Sequence, residues 1–208
     1  MVENYTLDRY GIIKQIKKES VVYDHRYVHE RYCHPKVPTE NISYLRLGYL
    51  LSQLGKIPKS LLDVGYGNGA FLTIAKKIIF NCYGYDILPA YPLDKEIVQL
   101  DNLYEKKVEV VTFFDSLEHF DNIYDIHRLR CNHILISVPF CHYLDDDWFL
   151  HWKHRKPNEH LWHFNLDSLQ NFMKAMGFNY RAHSYLEDVI RKPTDERYPN
   201  ILTSFFSR

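Results

Sequence analysis

The chain has 208 residues, enough for one large domain, and its 46% hydrophobic content is well able to bury a core. Lysine plus arginine and aspartate plus glutamate each count 26, so no net field draws the chain to nucleic acid or to an anionic membrane. The four cysteines (Cys33, Cys82, Cys131, Cys141) are far apart with no CxxC or secretory signal, and no apolar run approaches about 20 residues, so a reduced, cytoplasmic protein is expected.

Residues 1–40 are polar and rich in Tyr and His, ending in YDHRYVHERYCHPKVP. They read as an N-terminal appendage, helical in parts, and with the next helix they form a cap over 1–55 ahead of a domain at 56–208. From Asn41 to Leu54, Ile42, Leu45, Tyr49 and Leu54 recur near helical spacing, and Gly55 suits the stop. SLLDVG (60–65) has the length and apolarity of a short buried strand. In AFLTIAKKIIF (70–80), Phe71, Ile74, Ala75 and Ile78 share one helical face, with both lysines off it. NCYGYDI (81–87), IVQL (97–100) and the β-branched, aromatic VEVVTFFD (108–115) follow as strands. NIYDIHRLR (122–130) reads as a modest helix, and HILISVPF (133–140) as a strand ended by Pro139. Asn165 is placed to cap a helix running to Met176, with Leu169, Phe172, Met173 and Met176 inward and Gly177 closing it. FNYRAHSYL (178–186) and ILTSFFSR (201–208) finish as strands, and the polar connection between them, without a clear helix, favours an antiparallel pair. The alternation predicts an α/β fold: a doubly wound, mainly parallel seven-stranded sheet with an antiparallel last strand.

Three of the eight glycines stand together at Gly65, Gly67 and Gly69, in LLDVGYGNGAF. Glycine weakens a strand or helix unless something requires it. This turn is therefore expected to bring backbone close to a ligand at the carboxyl edge of the sheet. Read as Gly65-x-Gly67-x-x-Ala70 it fits a dinucleotide fingerprint; read as Asp63-x-Gly65-x-Gly67-x-Gly69 it fits the nucleotide loop of S-adenosylmethionine enzymes. Asp86, closing the second strand in GYD, is placed to accept hydrogen bonds from a ribose diol, which both cofactors carry. Asp63 favours the second pattern, because a carboxylate there can meet the ammonium end of a methionine moiety and would repel a pyrophosphate. Size favours it too, since a dehydrogenase normally needs a separate substrate domain.

LLDVGYGNGAFL, GYD, FFDSLEHF, HILISVPF and EHLWHFNLDSLQNFMKAMGF stand in the order and spacing of five motifs of one family. From Leu61 to Phe178 the chain resembles a class I S-adenosylmethionine-dependent methyltransferase, of the subgroup acting mostly on small molecules. The resemblance implies S-adenosyl-L-methionine as cofactor. It implies that Asp63, Gly65, Gly67 and Gly69 line the methionine side, that Asp86 holds the ribose hydroxyls and that Ile87 packs on the adenine face. Asp101, in VQLDNL, would contact the adenine amino group, although an aspartate opening a turn explains it equally well. Asp115 would border the transferable methyl. Tyr23, Tyr27 and Tyr32 are similar to aromatic segments that cover the cofactor in such enzymes, and equally to a plain packing stripe.

The acceptor side falls to CHYLDDDWFLHWKHRKPNEHLWHF (141–164), far longer than the usual connection of about 2–6 residues. It holds all three tryptophans together with His142, His151, His154, His160 and His163, and reads as a lid, as a small aromatic subdomain, or as both. Transfer to a hydroxyl or ring nitrogen benefits from a base with a pKa near neutrality, for which histidine is suited. His142, His160 and His163 are candidates, with His119 across the cleft, although for any single one of them a hydrogen-bonded structural histidine is the favoured reading. Glu118, beside His119, can simply brace the start of a helix. No zinc spacing is present, so no metal is expected. The aromatic turn and the Pro-Cys nucleophile of DNA-methylating enzymes are missing after the fourth strand. The expectation is methyl transfer to O or N of a small-molecule acceptor, without nucleic-acid or membrane partners. A cofactor-binding protein without catalysis and an NAD-binding oxidoreductase are the alternatives.

Overall fold

The computed structural model describes residues 1–19 and 36–208. Tyr23, Tyr27 and Tyr32, with Cys33 and His34, lie outside the described residues. The chain opens with a hairpin of β1 (Tyr5–Leu7) and β2 (Ile13–Gln15), and α1 spans Lys36–Leu54. Then come β3 (Ser60–Val64), α2 (Ala70–Lys76), β4 (Asn81–Tyr85), β5 (Val98–Gln99), β6 (Val110–Phe114) and β7 (His133–Pro139). The long insertion holds α3 (Asp146–His151) and β8 (Trp162–His163). Helix α4 (Leu166–Ala175), β9 (Asn179–Ser184) and β10 (Ile201–Ser207) complete the fold.

Seven strands form one sheet in the order β5-β4-β3-β6-β7-β10-β9. The first five are parallel, and β10 is antiparallel to both β7 and β9, as the sequence pattern implies. Chain order runs outward from the β3/β6 pair, to β4 and β5 on one side and to β7 on the other, before β10 returns between β7 and β9. The loops leaving β3 and β6 therefore open the crevice in which such sheets bind ligands.

Side-chain alternation splits the core into two layers. Leu62, Val64, Val111, Phe113, Ile134, Ile136, Leu202 and Phe206 face one side, where α4 contributes Leu169, Phe172 and Met173. Leu61, Val110, Phe114, Leu135 and Phe205 face the other, against Leu47 and Leu50 of α1 and Phe71, Ile74 and Ala75 of α2. All residues of β6 and β10 are buried, which explains why both read as nearly continuous apolar runs. Asn165 caps α4 with a full capping box: its side chain accepts from the Ser168 amide while Ser168 Oγ accepts from the Asn165 amide. No helix among the described residues is long and apolar enough to cross a membrane.

The structure departs from the sequence reading in four places. The appendage read as helical in parts begins with two short strands, Tyr5–Leu7 and Ile13–Gln15, because β2 finds a non-local partner in β8 (Ile13↔His163, Lys14↔Trp162). Helix α2 ends at Lys76, leaving Ile78 43% exposed instead of on the buried face. The segment Ile123–Arg128 is a 3₁₀ helix. The inward face of α1 carries Ser43, Leu47 and Leu50, displaced from the expected stripe of Ile42, Leu45 and Tyr49.

Candidate functional site

At the carboxyl end of β3 the three loop glycines all adopt positive φ: Gly65 at +75°, Gly67 at +56° and Gly69 at +73°. These are left-handed conformations that side chains resist. The Gly65 amide donates to the Tyr85 carbonyl at 2.7 Å, and the Gly67 amide donates to Asp86 Oδ2 at 2.9 Å. The other Asp86 oxygen accepts from the Leu88 amide at 3.0 Å. Each carboxylate oxygen keeps a lone pair directed away from these bonds. Burial raises the Asp86 pKa, against the lowering effect of the Gly67, Leu88 and Ile87 amides. Beside it, Ile87 is 80% exposed, a large apolar side chain lying open at the mouth of the loop. Asp101 is exposed just past β5.

Asp63 lies beneath the loop, 3% exposed, and accepts from Thr112 Oγ1 of β6 at 2.7 Å. Burial lifts its pKa to about 7, with Thr112 and Arg46 partly offsetting. It braces β3 against β6 and stands inside the protein rather than in an open pocket.

Asp115 follows β6 with φ +52°, a conformation aspartate tolerates better than most residues. Its Oδ2 accepts from Arg191 Nη1 at 2.7 Å and from Arg46 Nη2 at 3.0 Å. Both arginines also bond Glu187, which is fully buried: Arg46 Nε at 2.8 Å and Arg191 Nη1 at 3.0 Å. Arg46 lies over the Phe114 ring, 4.3 Å from its centroid. Burial works to raise the Asp115 pKa, but Arg191 and Arg46 outweigh it and hold the carboxyl well below the usual range. Asp115 is therefore a permanent anion tying α1 and the 186–191 segment to the end of β6.

The long insertion is closed at its base, where the Cys141 amide donates to the Phe164 carbonyl at 2.9 Å. It builds a satellite core of Tyr5, Ile13, Cys141 and Phe149, flanked by Tyr143, Trp148 and Trp152. His163 belongs to that core, its ring 5.2 Å from Phe149 and 5.7 Å from both Tyr5 and Trp152. Burial, with Arg155 and His154 nearby, depresses its pKa to about 3, so it is a weak base. His142 Nε2 stands 2.8 Å from the Pro199 carbonyl, to which it donates. With Trp148, Trp152, Lys153 and Tyr198 it lines a cleft of about 550 Å³ that none of the loop glycines, Asp86 or Asp115 borders. His119 and His160 are brought together, ring centroids 4.7 Å apart. Burial, then repulsion from His119 and Lys156, lowers the His160 pKa to about 2. The four histidine candidates thus fall into three separate places.

A family described as a methyltransferase domain matches residues 28–183. The chain belongs to the class I S-adenosylmethionine-dependent methyltransferases. It is an enzyme of that class, and its cofactor is S-adenosylmethionine. No curated protein sequence is significantly similar to it. Among solved structures, the methyltransferase resembles 1,6-didemethyltoxoflavin-N1-methyltransferase from Burkholderia thailandensis, solved with 1,6-didemethyltoxoflavin and S-adenosylhomocysteine, at 15% identity and TM-score 0.60 over 99% of each chain. Magnesium protoporphyrin IX methyltransferase from Synechocystis PCC 6803, solved with S-adenosylhomocysteine, matches at 13% identity and TM-score 0.59, over 92% of this chain and 90% of that one. An S-adenosylmethionine-dependent methyltransferase from Listeria monocytogenes matches at 13% identity and TM-score 0.56, over 78% of this chain and 97% of that one. At these identities the likeness is one of fold.

The sequence reading did not single out the three residues that surround Asp115: Arg46, Glu187 and Arg191. A signal existed for the first. Arg46 lies between Ser43 and Leu50 on the inward face of α1, and an arginine on a buried stripe needs an anionic partner. Glu187 and Arg191 sit in a connection with no regular pattern, so nothing local marks them.

Proposed function

We propose that this methyltransferase transfers the methyl group of S-adenosylmethionine to an oxygen or nitrogen of a small-molecule acceptor. The observation that carries the reading is the Gly65–Gly69 loop folded against Asp86, with the Gly67 amide on one carboxylate oxygen and free lone pairs left for a ribose diol. Gly65, Gly67 and Gly69 let the methionine portion approach the backbone, Asp63 holds the floor beneath it, and the exposed Ile87 covers one adenine face. Asp101 closes the adenine end. Asp115, fixed by two arginines, sets the wall nearest the methyl and shapes the site without exchanging protons. Methyl transfer needs in-line approach of a nucleophile to the methyl carbon, so positioning supplies much of the rate.

The balance of 26 basic and 26 acidic residues supports a small acceptor over a polyanion. Two structural neighbours are named for small acceptors, 1,6-didemethyltoxoflavin and magnesium protoporphyrin IX. The test is thermal stabilisation by S-adenosylhomocysteine, NAD and ATP at equal concentration, followed by an acceptor screen that reads S-adenosylhomocysteine formation. A shift specific to S-adenosylhomocysteine is expected. A shift with NAD alone would overturn the assignment of the loop, and turnover only on nucleic acid would overturn the acceptor class.

A further inference from the structure

Where the insertion meets the segment after β6, a second group of side chains stands apart from the ribose-binding loop. Glu118 and His119 belong to the short turn Leu117–His119, and His160 lies two residues before β8. One ligand-type atom from each of the three lies within 4.8 Å of the others. The Leu161 amide donates to the Glu118 carbonyl at 2.8 Å, which fixes the two segments side by side. His160 is 3% exposed, yet neither of its ring nitrogens has a hydrogen-bond partner among the described residues. A buried imidazole with both nitrogens unsatisfied is costly and calls for a ligand.

We propose that Glu118, His119 and His160 bind a divalent metal ion of the Zn²⁺ type, and that its open coordination position takes a hydroxyl oxygen of the methyl acceptor. Two imidazoles and one carboxylate suit a borderline divalent ion, and three protein ligands leave room for a substrate atom. Around an ion with bonds of about 2.0–2.1 Å the ligand atoms stand roughly 3.0–3.5 Å apart, so the three groups need draw in by at most about 1–2 Å, within reach of side-chain rotation. Ser116, two residues before Glu118, is the side chain that Gly65 packs against, so the segment carrying Glu118 and His119 adjoins the glycine loop.

The catalytic role rests on the methyltransferase reading above; binding of the ion does not. In the step, the coordinated acceptor O–H releases its proton to solvent water, made easier by the ion's charge. The oxygen lone pair then forms the C–O bond to the methyl carbon while the C–S bond breaks. That electron pair remains on sulfur, giving neutral S-adenosylhomocysteine. This assigns the acceptor to hydroxyl compounds. No spacing in the sequence reveals the group, because His160 comes from a different segment than Glu118 and His119.

The experiment is equilibrium dialysis of chelator-stripped full-length protein against Zn²⁺, Mn²⁺ and Mg²⁺, with elemental analysis and without S-adenosylmethionine. One ion per chain is expected, with Zn²⁺ and Mn²⁺ retained over Mg²⁺. His160→Ala and Glu118→Gln should each reduce retention to background while the thermal shift with S-adenosylhomocysteine persists. If a variant does not melt cooperatively, Co²⁺ loading of the unaltered protein replaces it, and a visible ligand-field spectrum is expected. No retained ion, retention undiminished in His160→Ala, or a featureless Co²⁺ spectrum would overturn the site. Ion binding with no response to S-adenosylhomocysteine would instead fault the cofactor reading alone.

Discussion

Gly65 lies so close to Ser116 that a Cβ built on the glycine would stand 2.6 Å from the serine Cβ. The contact joins the loop after β3 to the segment after β6, the two sides of the crevice. Gly65→Ala therefore meets two obstacles, a positive φ costing about 1–2 kcal/mol and an overlap costing about 1–3 kcal/mol. Denaturant unfolding should show a loss of about 2–5 kcal/mol. Adding Ser116→Gly should recover the overlap part alone. If the alanine cost is the same whether residue 116 is serine or glycine, the contact is not the constraint.

Asp86 offers the sharpest test of the cofactor site. Asp86→Ala removes the acceptor of the Gly67 amide together with the proposed acceptor of the ribose hydroxyls, so affinity for S-adenosylhomocysteine should fall by about 1–3 kcal/mol. Calorimetric titration measures it. Unchanged affinity in a folded variant would remove Asp86 from the site.

The Arg46–Asp115–Arg191–Glu187 group should be fragile to removal of one charge. Asp115→Asn leaves two arginines facing Glu187 alone, a loss of about 3–5 kcal/mol by analogy with other broken buried pairs. Because the folded Asp115 pKa lies below its unfolded value, its stabilising effect is present above about pH 4 and is lost as pH falls through the folded pKa. The gap between Asp115→Asn and the unaltered protein should thus be wide at neutral pH and narrow in acid. A constant gap would show that charge is not what Asp115 contributes.

His154 predicts a second loss on the acid side of the pH profile, beginning at higher pH. Burial lowers its folded pKa to about 4, and its Nε2 lies 2.8 Å from Asn200 Oδ1. Below about pH 6.5 the unfolded chain takes up a proton that the folded one refuses, so stability falls as the pH drops toward 4. Between pH 7 and pH 5 the unaltered protein should lose about 1–2 kcal/mol more than His154→Gln does. Asp63, raised to about 7, has the reverse slope but is common to both proteins and cancels. Parallel stability curves for the two would contradict a neutral buried His154.

The sheet was legible in local pattern alone. Strands such as VVTFF and ILTSFFS are buried on both faces, so their apolar runs need no knowledge of neighbours, and the glycines at 65, 67 and 69 mark their turn because only positive φ makes them useful. Asn165 and Gly177 bounded α4 for equally local reasons. Which distant groups meet emerged only in the folded chain. The Tyr5–Gln15 hairpin depends on β8, about 150 residues away by the pairing of Ile13 with His163, and a two- or three-residue strand has no periodicity of its own to announce it. Arg46, Asp115, Glu187 and Arg191 come from three separated segments, and their attraction exists only once the fold has excluded water from between them. The histidines show the same division. Their number was visible from the start, but burial made His163 a packing group, left His142 facing an aromatic cleft and set His160 against His119 and Glu118. A side chain's chemistry depends on its desolvation and its neighbours, and both are properties of the folded chain.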